Sequence, residues 1–128
     1  MMIAMGSTVA EVMLRTPKTL PGDATAGEVR ALLENPSVQL VLLADGDLFR
    51  AAVAEVPADA PAGAAAHEYA LAEPPTIASG APAEVAFERA SAEPLRRLVV
   101  LGDGDELLGL VCLNSKRTHF CGGAKTEL

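Results

Sequence analysis

The 128-residue chain has no tryptophan, one tyrosine (Tyr69), three phenylalanines and two cysteines. Four rings offer little for stacking bases. With 17 acidic residues against 10 lysines and arginines, the net charge of −7 repels a phosphate backbone, so no nucleic-acid partner is expected. Two cysteines do not make a disulfide framework. Apolar runs such as 40–44 and 98–101 fall far short of the roughly 18–20 residues that cross a bilayer. Residues 1–6 lack the charged start and long apolar stretch of a signal peptide. A cytoplasmic location with no membrane partner is therefore expected. There is no Walker pattern and no G-x-G-x-x-G. No carboxylate pair sits in an acid/base setting, since Asp45, Asp47, Asp103 and Asp105 fall in turns. No catalytic residue is assigned, and the chain is not expected to be an enzyme.

What is present is aliphatic. Half the residues are hydrophobic, almost all of them Ala, Val and Leu. A chain this long suits one compact domain or two half-size lobes sharing a core. It buries roughly two-thirds of its extended surface, enough to fold without metal or disulfide. Laid against itself at a shift of 56 to 59, the sequence repeats. Pro17-Lys18-Thr19-Leu20 matches Pro74-Pro75-Thr76-Ile77, and residues 40–47 match 98–105 without a gap through a shared Asp-Gly-Asp. Residues 48–53 then match 107–112, offset by the extra Glu106. Such duplication marks two copies of one supersecondary unit, each too small to bury its own face.

Each copy opens on a short extended piece at Thr19-Leu20 or Thr76-Ile77. A helix follows. In the first copy Asp23 or Thr25 can cap it, with Glu28 completing a capping box, Val29, Leu32 and Leu33 on one face, and Asn35-Pro36 as the stop. In the second, Ser79 or Gly80 precedes Pro82, Val85, Phe87 and Ala90 follow, and Glu93-Pro94 ends the run. Asp-Gly between β-branched segments predicts hairpins pairing 39–43 with Leu48–Val53 and Arg97–Leu101 with Leu107–Cys112. Their near-continuous apolar character predicts cover on both faces. Short helices are expected at 9–14 and about 62–71, with His67 and Tyr69 half-buried, and a frayed tail after Phe120.

Helix, short strand, helix, hairpin, written twice, resembles the paired CBS domain, or Bateman module. Val9-Ala10-Glu11-Val12-Met13 before Pro17-Lys18-Thr19-Leu20 is similar to that family's opening V-x-D-V-M and P-x-T-V. Residues 97–111 are similar to its R-h-P-V-V-D-x-x-G-x-h-V-G-h-V. The resemblance covers 8 to about 116 and implies an α+β fold: a tandem CBS-domain pair of two β-α-β-β repeats with flanking helices, related by a pseudo-twofold axis. The expected division is 8–56 for repeat 1, 57–66 for a linker, 67–117 for repeat 2 and 118–128 for a C-terminal tail. The family's clefts bind AMP, ATP or S-adenosylmethionine, its pairs often form homodimers, and they commonly regulate another protein. The resemblance therefore implies a stand-alone, homodimeric regulatory module sensing an adenosine compound. The alternatives are a ligand-free dimerisation or scaffold module binding a protein partner, or a Cys/His metal or thiol site.

The family's ribose signature after the last strand is Gly-h-h-Thr/Ser-x-x-Asp. In repeat 1 the aligned stretch is 50–56, Arg-Ala-Ala-Val-Ala-Glu-Val, aliphatic at both polar positions, with Arg50 in place of Gly as a plug or phosphate clamp. In repeat 2 it is 109–115, Gly-Leu-Val-Cys-Leu-Asn-Ser, with Cys112 and Ser115 in place of the hydroxyl and carboxylate. A thiol is a poor donor and acceptor, so ribose recognition falls to Asn114 or Ser115. Lys116, Arg117 and His119 form a basic cluster where phosphates could sit, or simply a solvated end of the fold. Thr76, Ile77, Cys112, Asn114, Ser115 and Lys116 are thus the candidate ligand residues. Cys112, His119 and Cys121 offer three of the four ligands of a structural zinc site, so no metal site is assigned. A Cys112–Cys121 disulfide, a redox pair and two unlinked cysteines all remain open.

Overall fold

The computed structural model describes residues 7–36 and 38–121. In chain order the elements are α1 (Val9–Val12), β1 (Thr19–Leu20), α2 (Ala26–Leu33), β2 (Val41–Asp45), β3 (Leu48–Val53), a 3-10 turn (Ala66–Tyr69), β4 (Thr76–Ala78), α3 (Ala83–Ala92), β5 (Arg97–Leu101), a second 3-10 turn (Asp103–Asp105) and β6 (Leu107–Cys112). They make two three-stranded sheets, β1-β2-β3 and β4-β5-β6. In each sheet the first pair is parallel and the second antiparallel. This is the α+β, doubled β-α-β-β architecture that the repeat implied.

Local chemistry accounts for the helix starts. Thr25 caps α2: its Oγ1 accepts the Glu28 N–H at 3.2 Å, and Glu28 Oε1 accepts the Thr25 N–H at 2.9 Å. The next two donors of α2 are met by the segment expected as a linker, Ala26 N–H to the Ala64 carbonyl at 2.7 Å and Gly27 N–H to that of Ala62 at 2.9 Å. Drawing those carbonyls onto α2 takes residues 62–65 off a helical path, which is why the helix expected at 62–71 shrinks to one 3-10 turn. Pro82 (φ −63°) precedes α3, and Glu93-Pro94 ends it.

The chain divides into two compact units, Pro17–Pro74 and a discontinuous one made of Met1–Thr16 with Pro75–Leu128. In the first, Ala24, Val29, Val41, Leu43, Val53 and Ala66 form the core, and Ala66 N–H donates to the Ala24 carbonyl at 2.9 Å. In the second, Val9, Ile77, Ala86, Leu98, Val111 and Phe120 are core residues. There Val9 N–H donates to the Ala81 carbonyl and Ala83 N–H to that of Ser7, both at 2.9 Å. The segment that opens each sequence repeat is thus built into the unit of the other repeat, so the compact units cut the chain elsewhere than the repeats do.

Strand register corrects the sequence alignment. Thr19 pairs with Leu42, and Thr76 with Val99. The structural equivalent of Leu42 is therefore Val99, whereas the gapless Asp-Gly-Asp match puts Val100 there. Across each hairpin Leu42 faces Ala52 and Val99 faces Leu110, so Ala51 corresponds to Gly109. Both hairpins have a register shift at the same place, between Leu43/Ala44 and between Val100/Leu101, which leaves Arg50 and Leu108 as the bulged residues. A one-residue slip exchanges the faces of a strand, so the correction matters for the site. The inner strands are buried along Val41–Ala44 and 97–100, covered on both faces as their apolar runs imply.

Candidate functional site

In the discontinuous unit, strand alternation decides which side chains share a surface. Ile77 pairs with Val100, and both sit with Leu98 and Val111 in the core beneath α3. Ile77 is therefore a packing residue, 6% exposed. Thr76 pairs with Val99 and Cys112 with Arg97, so Thr76 and Cys112 lie on the opposite face of the sheet. The Thr76 carbonyl, on edge strand β4, accepts from Arg89 Nη2 of α3 at 2.7 Å.

After β6 the chain turns back at once. Asn114 organises this turn. Its Oδ1 accepts the N–H of Thr118 at 2.8 Å and of His119 at 3.1 Å, its Nδ2 donates to Thr118 Oγ1 at 2.9 Å, and its N–H donates to the His119 carbonyl at 3.0 Å. Both ends of the Asn114 amide are committed to the loop. Ser115, Lys116, Arg117, Thr118 and His119 are exposed. Arg117 points its guanidinium at the C-terminal end of α3, with Nε donating to the Ser91 carbonyl at 3.0 Å and Nη2 to that of Glu93 at 3.4 Å. There a cation meets the negative end of the helix dipole. Of the predicted basic cluster, Lys116 is exposed next to Ser115 in the chain, His119 Nδ1 lies 3.0 Å from Thr118 Oγ1, and Arg117 serves the helix.

Residues 118–121, the first part of the expected tail, are folded back. Phe120 is 6% exposed and meets Phe87 edge-on, ring centroids 5.7 Å apart at 85°. Cys121 N–H donates to the Cys112 carbonyl at 2.7 Å, and the two cysteines form a disulfide with a Cα–Cα distance of 5.3 Å. The bridge takes both thiolates from the Cys112–His119–Cys121 metal set, and among the described residues no group of three or more His, Cys, Asp or Glu could hold a metal ion. The stretch after residue 121 lies outside the described residues.

Two arginines support the base of this loop. Arg96 takes a positive φ of 59° and donates from Nε to the Leu113 carbonyl at 3.2 Å. Arg97 is 8% exposed and donates from Nη1 to the Leu95 carbonyl at 2.7 Å. Burial, and then the neighbouring charge of Arg96, lower its pKa from the ordinary arginine value.

In the contiguous unit the corrected register moves the signature. Its hydroxyl and carboxylate positions fall on Ala54 and Pro57, neither with a side-chain polar atom and the second without an N–H. Arg50 is not at the Gly position. It stands at the bulge, where Nε meets Asp45 Oδ2 at 3.4 Å, and Asp45 Oδ1 accepts the Gly22 N–H at 3.0 Å. With Pro21, Asp23 and His67 these residues line an open groove of about 640 Å³ at the hairpin end of the sheet. Leu108 and Gly102 occupy the equivalent positions of Arg50 and Asp45 in the other repeat. Tyr69 is half-buried as expected, but His67 is exposed. The return of residues 113–121 had one sequence signal, a lone aromatic, Phe120, in a polar stretch. The groove had none, because its residues converge from four separate segments.

No protein-family model and no curated protein matches the chain. Solved structures do match. A CBS domain protein from Pyrobaculum aerophilum, complexed with AMP, is 27% identical at a TM-score of 0.69, over 83% of this chain and 87% of that one. CBSX2 from Arabidopsis thaliana in complex with AMP is 16% identical at a TM-score of 0.69, over 88% and 92%. The CBS domain pair of protein MJ0100, in complex with 5′-methylthioadenosine and S-adenosyl-L-methionine, is 14% identical at a TM-score of 0.65, over 83% and 89%.

Proposed function

We propose that this chain, whose fold is that of a CBS-domain pair, is a non-catalytic regulatory module that binds an adenosine compound through its discontinuous unit. Thr76, Ser115 and Lys116 are the recognition groups left to it. The observation that carries this reading is the loop after β6. It stands where the family's ribose signature follows the last strand, and Asn114 fixes its shape. Ser115 and Lys116 are adjacent and exposed on it, a hydroxyl for the ribose and a cation for a phosphate. AMP or S-adenosyl compounds in three proteins of this fold support the ligand class. The contiguous unit, with Ala54 and Pro57 at those positions, has no side-chain hydroxyl or carboxylate there for a ribose diol. Of the other candidates, Ile77 contributes only its place on the edge strand, Asn114 only the loop's shape, and Cys112 only the bridge. The reading extends to a homodimer in the cytoplasm whose output passes through a protein partner.

A second reading is favoured by a specific observation: Cys112 and Asn114 have given their polar atoms to the loop itself. On that reading the pair is a ligand-free scaffold that binds its partner directly. A thermal-shift series with AMP, ADP, ATP, S-adenosylmethionine and NADH, confirmed by calorimetry, separates the two. A ligand at a hundred times its dissociation constant adds about 2.7 kcal/mol of stability. A saturable rise in melting temperature that Ser115→Ala or Lys116→Ala weakens supports the sensor. No rise with any of the five at millimolar concentration leaves the scaffold.

A further inference from the structure

We infer that Cys112 and Cys121 form a thiol–disulfide exchange site whose substrate is a dithiol reductant, and that its reduction unlocks residues 113–121. The chain's two cysteines are both here. Their Cα atoms, 5.3 Å apart, lie within the span a disulfide bridges. Their environments differ. Cys112 ends β6 and is 4% exposed, whereas Cys121 is half-buried at the outer end of the returning loop. A reductant therefore reaches the Cys121 sulfur first.

The exchange balances in two steps. A thiolate of the dithiol attacks Cys121 Sγ, the Cys112–Cys121 bond breaks, and its electron pair leaves on Cys112 Sγ. The second thiol of the reductant then attacks its own sulfur in that mixed disulfide and releases Cys121. The protein gains two electrons and the two thiol protons, and the reductant closes to a cyclic disulfide. The Leu113 carbonyl, 3.7 Å from Cys112 Sγ, is at hand to accept the new S–H.

The loop is designed around this closure. Leu113 and Phe120 pair as an isolated bridge just inside the cysteines, and Cys121 N–H bonds the Cys112 carbonyl at 2.7 Å. Everything between, from Ser115 to His119, is exposed. Once the bond opens, the return rests on non-covalent contacts alone: Phe120, the Asn114 hydrogen bonds within the turn and the Arg117 contacts with α3. Ser115 and Lys116 lie inside the closed ring. If the ligand reading above is right, which this last step rests on, affinity for an adenosine compound follows the redox state.

The experiment uses the whole chain, air-oxidised or treated with dithiothreitol under native conditions. Alkylation and mass spectrometry then count thiols, and trypsin probes the exposed bonds after Lys116 and Arg117. Reduction is expected to reveal two alkylatable thiols and to speed cleavage there by about tenfold, since cleavage tracks the open population. Thiols that stay closed to millimolar dithiothreitol overturn the exchange site, and equal cleavage rates overturn the unlocking. Cys121→Ser is expected to be cleaved at the reduced rate with or without oxidant, and a variant as resistant as the oxidised protein argues against it. If that variant fails to fold, reduction of the natural chain supplies the same comparison. AMP is then titrated against both states. A thermal shift larger in the oxidised protein supports the coupling, and equal shifts overturn it. No shift in either state removes the adenosine reading while the thiol and trypsin results stand.

Discussion

Gly109 lies directly under the carbonyl oxygen of Leu14. A Cβ there would collide with that oxygen and come within 2.8 Å of Met13 Sδ. The closeness is functional to the fold. Leu14 and Leu110 exchange backbone hydrogen bonds of 2.8 and 3.0 Å, which tie the segment after α1 to the edge of β6.

Gly109→Ala is therefore expected to destabilise the protein by about 1–3 kcal/mol, because backbone rather than a flexible side-chain end must move. Thermal unfolding of the variant measures it. A variant as stable as the natural chain would mean that Leu14 can leave β6 freely.

Thr25→Ala removes one half of the α2 capping box and is expected to cost about 1 kcal/mol in chemical denaturation. Glu28→Ala removes the other half, and its effect should not add fully to the first, since each group completes the other's bond.

Phe120→Ala opens a cavity beside Phe87 and is expected to cost about 3 kcal/mol. A loss well below 1 kcal/mol would place residues 113–121 outside the folded core.

Reduction of Cys112–Cys121 returns entropy to a short loop in the unfolded chain and is expected to lower stability by about 2–3 kcal/mol. Denaturation with and without dithiothreitol gives the difference, and Cys121→Ser should erase it.

Arg50→Ala is expected to change stability by less than about 0.5 kcal/mol, as an exposed ion pair contributes little. Asp45→Ala also takes the acceptor from Gly22 N–H and should cost about 1 kcal/mol. Any adenosine-induced thermal shift should be the same in Arg50→Ala as in the natural chain. A larger shift would restore the plugging role that the sequence alignment suggests for Arg50.

The fold was largely legible because its signals are local. Thr25 and Glu28 mark one helix start, Pro36 and Pro94 mark stops, and two Asp-Gly turns sit between aliphatic runs. The one-residue error in register has a physical origin. The repeated Asp-Gly-Asp is the most conspicuous shared word, yet β2 enters its turn one residue earlier in the ladder than β5 does. Only the parallel pairing of Thr19 with Leu42 and Thr76 with Val99, contacts between residues 23 apart, reveals it. The candidate site was legible less well. Composition shows that Lys116, Arg117 and His119 cluster, but not that Arg117 turns to the end of α3. It shows Cys112 and Cys121, but their separation of nine cannot say whether the chain between them returns. Ile77 was chosen by resemblance, and its face is set by alternation along β4.

The discontinuous unit also imposes an order of assembly during synthesis. Residues 17–74 make a contiguous unit, complete once residue 74 has left the ribosome. The other unit joins α1 to β4, α3, β5 and β6, so Val9 has no Ala81 carbonyl to bond until the second repeat emerges, and Phe120 enters that core after β6. Until then Val9, Val12 and Met13 remain exposed on the nascent chain, a window in which a chaperone or a second nascent copy can meet them before the chain's own C-terminal half does.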